Sequence, residues 1–84
     1  MSSAEKIAKE CDRIKELLLS KNRKYGDSAF STGELFQVPP LTAIKARIND
    51  KISRIKNQPE DEDEDVVDDL VGYLILYLIE RKKD

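Results

Sequence analysis

"EDVVDDLVGYLILYLIERKKD", residues 64 to 84, begins with acids, runs through an apolar centre and ends in cations. Anions at the start and cations at the end suit the dipole of a helix, so the stretch predicts one from about residue 62 to 82. With 3.6 residues per turn, Val66, Val67, Leu70, Val71, Leu74, Ile75, Tyr77, Leu78 and Ile79 spread over more than half of its circumference. A surface helix buries a narrower stripe. One neighbour would leave apolar surface over, so the sequence predicts a homo-oligomer, a dimer or higher, with this helix in the interface. The unbroken apolar run, 70 to 79, is too short to span a bilayer. Gly72 costs about 1 kcal/mol relative to alanine inside a helix, a cost that close approach of another helix or a ligand explains. Asp65, Asp69 and Tyr73 form a separate stripe on the flank.

Two further helices are expected upstream. In "SSAEK", Ser2 followed by Glu5 reads as a capping box for a helix over roughly 3 to 20. Ile7, Cys11, Ile14 and Leu18 recur at four-three-four spacing and predict its buried stripe, with Cys11 as a buried, reduced thiol. After "VPP", Thr42 is the expected N-cap of a helix running to about Asn57, and Pro59 forbids its continuation. Ile44, Ile48, Ile52 and Ile55 form its expected buried stripe. Arg47, Asp50, Lys51 and Arg54 form a second stripe along the edge of the first. The expected fold is therefore all-α: a hairpin-like three-helix bundle, residues 1–84 as one small domain, oligomerising through the third helix.

Between the first two helices lies "KNRKYGDSAF", residues 21 to 30, inside a connector expected to run to residue 40. Loops of that length are commonly functional. Tyr25, Phe30, Leu35, Phe36 and Val38 have apolar surface to bury, so an ordered loop is expected.

The net charge of −2 conceals an asymmetry, because residues 60 to 69 alone hold eight acids. The rest of the chain is net positive, as a binder of an anionic partner should be. Histidine is absent, which removes the usual near-neutral base and the commonest zinc ligand. A single cysteine and an opening that does not read as a secretory leader point to a cytoplasmic location.

Together "KNRKYGDSAF", "ARINDKISRIKN" and "EDVVDDLVGYLILYLI" resemble the small, often phage-encoded nucleotide modification associated domain proteins of type 1. The resemblance covers roughly residues 17 to 79. "DDLVGYL" is more distantly similar to the last metal-binding helix of the MazG-like all-α nucleoside triphosphate pyrophosphohydrolases. That second resemblance implies magnesium held by Asp69, with Asp65 one turn earlier and Asp50 on the middle helix. Paired glutamates typical of those enzymes are replaced here by Arg47, Asp50, Lys51 and Arg54, and Val66 stands where another glutamate is expected.

Three functions remain open from the sequence. The first is a nucleotide-binding protein that sequesters a nucleotide signal, such as a cyclic oligonucleotide of antiviral defence, in a basic pocket at a subunit interface. Lys21, Arg23, Lys24, Arg47, Lys51 and Arg54 would hold phosphates; Tyr25 or Tyr73 would stack on a base; Asn22, Asp27 and Ser28 would read its edge. No cofactor is expected for binding. The second is a magnesium-dependent pyrophosphohydrolase of normal or modified nucleotides, using Asp50, Asp65 and Asp69. A protein-interaction module without a small ligand is the third. The same residues also have structural readings, in which Asp27 caps a turn beside Gly26 and Asp50 pairs with Arg47 and Arg54. The acidic run makes long nucleic acids poor partners.

Overall fold

Ser2 sets the start of the first helix. Its extended backbone (φ −73°, ψ 166°) turns its hydroxyl to accept from the Glu5 backbone N–H at 3.1 Å, as the capping pattern predicts. The computed structural model describes residues 1–27, 38–57 and 65–82 of the 84. Among them are three helices and no strand: α1 (Ser3–Tyr25), α2 (Pro40–Asn57) and α3 (Val66–Glu80). The all-α expectation holds. No helix among the described residues is long and apolar enough to cross a membrane.

Each boundary departs from the expected one for a local reason. α1 continues through Lys21–Tyr25, which the sequence reading assigned to the loop. It stops at Gly26, whose φ of +65° only glycine adopts without strain and whose N–H donates to the Asn22 carbonyl at 2.7 Å. Arg23 and Lys24 in the last turn suit the negative end of the helix dipole. α2 starts at Pro40, two residues before the expected cap Thr42. Proline is well placed in the first turn, where its missing N–H has no intrahelical partner to lose. The Ala43 N–H donates to the Pro39 carbonyl at 3.1 Å. α3 begins four residues later than expected, because Asp65 caps it: its carboxylate accepts from the Asp68 N–H at 2.9 Å. At the other end the Arg81 N–H donates to the Tyr77 carbonyl at 2.9 Å.

α3 is the central element. It packs extensively along α2 and meets α1 over a shorter stretch. Ile14 of α1 and Ile44 of α2 are buried, and Leu18 and Ile48 are half-buried. The rest of both predicted stripes is not covered. Ile7 is 64% exposed and Cys11 is exposed, so the expectation of a buried thiol is corrected. At 1.5 Å per residue α1 is about 34 Å long and α3 about 22 Å. The shorter helix engages α1 around Arg13–Lys21, and every residue before Ile14 is exposed. Ile52 and Ile55 of α2 are also exposed, against expectation.

Where α1 meets α3 the contact is close. A β-carbon added at Gly72 would lie 2.9 Å from Leu18 Cδ2. Gly72 is buried and gives Leu18 its seat. The expectation that Gly72 marks a close approach therefore resolves to helix packing.

Candidate functional site

The charged stripe of α2 is where the structure both supports and revises the sequence reading. Arg47, Lys51 and Arg54 follow one another at i, i+4 and i+7 and share a face of the helix. Lys51 does not sit at the edge of the buried stripe. It is only 8% exposed, on the face that carries Ile44, since a separation of seven positions leaves about 20° of rotation between them. A buried ammonium is tolerated only with an anionic partner, since desolvating it alone costs several kcal/mol. Asp69 of α3 is that partner, with its Oδ2 3.4 Å from Lys51 Nζ.

The other Asp69 oxygen, Oδ1, accepts from Lys21 Nζ at 2.9 Å. One carboxylate on α3 thus draws together a lysine from the last turns of α1 and a lysine from the middle of α2. Burial works to raise the Asp69 carboxyl. The hydrogen bond from Lys21 and the charges of Lys21 and Lys51 outweigh it and hold the carboxyl below its ordinary value. Sequence spacing placed Lys21 and Lys51 in one phosphate-binding set. The structure does bring them together, but around a carboxylate of the same chain.

The remaining site residues divide by what they touch. Asn22 donates from Nδ2 to the Gly26 carbonyl and to Asp27 Oδ1, both at 3.0 Å. That pair closes the end of α1, which is the structural reading of Asp27 with Asn22 added. Arg23 is exposed, and Lys24 Nζ lies 5.3 Å from the ring centre of Tyr25, itself 61% exposed. Tyr25 therefore does not pack into the interior. Arg47 is exposed, and Arg54 Nε lies 3.4 Å from Asp50 Oδ2, one turn apart. Both groups of that pair are well exposed, so it contributes about 0.3–0.5 kcal/mol at most. Tyr73 is half-buried on α3, one turn after Asp69. Ser28 lies outside the described residues.

The three carboxylates named for magnesium are engaged separately. Asp65 caps α3, Asp69 takes two lysines and Asp50 faces Arg54. Among the described residues no group of three or more acidic, cysteine or histidine side chains is placed to hold a metal ion.

One pairing escaped the sequence reading. Arg13 Nη1 and Nη2 donate to the two oxygens of Asp68 at 2.6 and 2.9 Å, and Nε and Nη2 also reach Glu10. The hydrogen bonds from Arg13 outweigh the effect of burial and hold the Asp68 carboxyl below its ordinary range. Asp68 and Asp69, adjacent on α3, therefore fasten α1 at two points, with Leu18 on Gly72 between them in the α1 sequence. The available signal was an arginine beside the Ile14 position and an acid in the first turn of α3. Neither names the other, because sequence spacing fixes neighbours only within one helix.

Compared with known proteins, the chain matches no family model, no curated protein and no solved structure.

Proposed function

We propose that the protein is a small homo-oligomeric nucleotide-binding protein whose α2 ridge receives the phosphates. The observation that carries this reading is the convergence of cations from two helices. Lys21 and Lys51 share one carboxylate, while Arg47 and Arg54 continue the Lys51 stripe. Counting these four against Asp50 and Asp69 leaves the corner positive. Arg47 is exposed and Arg54 half-exposed, so guanidinium groups, which fit phosphate oxygens with paired donors, face outward. Lys21 and Lys51 act from behind, as fixed positive charge already oriented by Asp69. Tyr73 and Tyr25 are the aromatic candidates for a base.

The carboxylates of this corner are each matched to a cation, which supports holding a nucleotide over cleaving it. The role we assign is sequestration of a nucleotide signal, such as a cyclic oligonucleotide, of the kind a phage uses against antiviral defence. The resemblance to the nucleotide modification associated domain proteins supports the ligand class. The uncovered outer face of α3 supports self-association.

Calorimetric titration with a panel of mono-, di- and cyclic oligonucleotides tests the reading, followed by recovery of the ligand after denaturation. The expected result is saturable binding and intact ligand. Arg47→Ala or Arg54→Ala should weaken binding roughly 10- to 100-fold, the equivalent of one charge-assisted hydrogen bond, with helicity unchanged. Binding unaffected by both substitutions, or recovery of monophosphate and pyrophosphate, overturns it.

A further inference from the structure

α3 carries a second apolar surface that neither α1 nor α2 covers. Val67, Leu74 and Leu78 are 53%, 44% and 44% exposed, and Val71 between them is half-buried. At 100° per residue these four fall within about 60° of one another, a continuous stripe at i, i+4, i+7 and i+11. Gly72 and Asp69, which face α1 and α2, lie about 130° and 170° from its centre. The stripe therefore points away from both packed neighbours and runs most of the length of the helix.

Its symmetry and its ends identify what fits it. The four residues are spaced evenly about a midpoint between Gly72 and Tyr73. Turned end for end, the stripe reproduces itself: Val71 falls opposite Leu74, and Val67 opposite Leu78. Such self-complementarity is what a two-fold interface requires, because each surface must meet its own copy. The ends agree. α3 is acidic where it begins, at Asp65, Asp68 and Asp69, and basic where it stops, at Arg81 and Lys82. On the helical wheel Arg81 and Lys82 lie about 50° to either side of the stripe's centre. An antiparallel partner keeps these cations apart from their own copies and sets opposite ends of the two helix dipoles together; a parallel partner sets the cations side by side and aligns the dipoles unfavourably.

Resting on the self-association proposed above, we infer that two copies pair through α3 in antiparallel register, Val67 facing Leu78 of the partner subunit and Val71 facing Leu74 of the partner subunit. Tyr73, about 130° from the centre of the stripe, faces away from the partner. Because Asp69 and Lys51 face away from the stripe, the two basic corners lie on opposite sides of the pair, and each dimer binds two ligands.

Orientation can be read by cross-linking full-length chains in which Cys11→Ser removes the exposed native thiol. V67C, L78C and a co-expressed mixture of the two are treated with a thiol-specific linker of ~8 Å, close to the spacing of packed helices. The antiparallel register predicts a covalent dimer in the mixture. Neither variant alone should give one, since like positions would lie about 16 Å apart along the helix. Cross-linking of each variant with itself shows a parallel pair and overturns the register. Dimers in solution that do not cross-link in any arm place the interface elsewhere, again overturning the register while leaving self-association standing. Monomers in every sample, with native circular dichroism, overturn both.

Discussion

α3 resolves its two sides by different physics. Toward α1 and α2 it presents Asp68, Asp69 and Gly72, and closes on its neighbours with ion pairs around a tight contact at Leu18. On the other side it presents Val67, Val71, Leu74 and Leu78, with no charge among them. Ion pairs are directional and fix which residue meets which, so the inner side specifies how the chain folds on itself. Apolar area is non-directional and needs only to be removed from water. In the proposed pairing the outer side supplies association, and the polarity of the helix supplies its orientation.

Removing Asp69 disturbs the inner side most. Asp69→Ala leaves Lys51 buried beside one fewer anion and releases Lys21. A fully buried pair costs about 3–5 kcal/mol to break; Asp69 is partly exposed, so about 2–3 kcal/mol of stability should be lost. Urea denaturation measures it, and a loss under 0.5 kcal/mol would show that Asp69 does not hold the corner together.

Gly72→Leu comes next. Its side chain must displace Leu18, and overpacking of this kind costs about 1–3 kcal/mol. Because α1 can lift away from α3, its docking energy caps the loss, and about 1–2 kcal/mol is expected. Gly72→Ala should be nearly neutral. The added methyl meets only the flexible end of Leu18, and about 1 kcal/mol of helix propensity offsets the adjustment. Thermal unfolding of the two variants separates packing from propensity.

The smallest effect is that of acid. Asp68 and Asp69 both have carboxyls held below the ordinary value, so the folded chain binds protons less readily than the unfolded one. Their contribution to stability is complete above the unfolded value of about 3.9 and is lost as pH falls through the lower folded values. Stability should thus decline below about pH 4 through these groups, and Asp68→Asn should make that decline shallower. An unchanged slope in the variant would show that Arg13 does not act through Asp68.

Much of this division was legible in the sequence. The excess apolar surface of α3 followed from counting residues around a wheel, and the all-α fold from three periodic stretches. What misled was the reading of "KNRKYG" as loop. Its cations looked like ligand-binding groups, yet two basic residues before a glycine also mark the last turn of a helix, and Gly26 with its positive φ settles the matter. Lys51 was misplaced because a wheel gives angle and not depth. Twenty degrees from Ile44 is a buried position on this helix, and the carboxylate of Asp69, eighteen positions further along, helps make it habitable. The Arg13–Asp68 pair is the same kind of fact: it belongs to the meeting of two helices and to neither alone.

Sedimentation equilibrium of the untagged chain addresses the division between the two sides of α3 most directly. A particle of twice the 9.6 kDa chain mass, or a multiple of it, is predicted. Leu74→Asp, which places a carboxylate in the middle of the outer stripe, should reduce it to one chain without loss of helix. A chain that stays single at high concentration, or an assembly indifferent to Leu74→Asp, would contradict the assignment of that side to self-association.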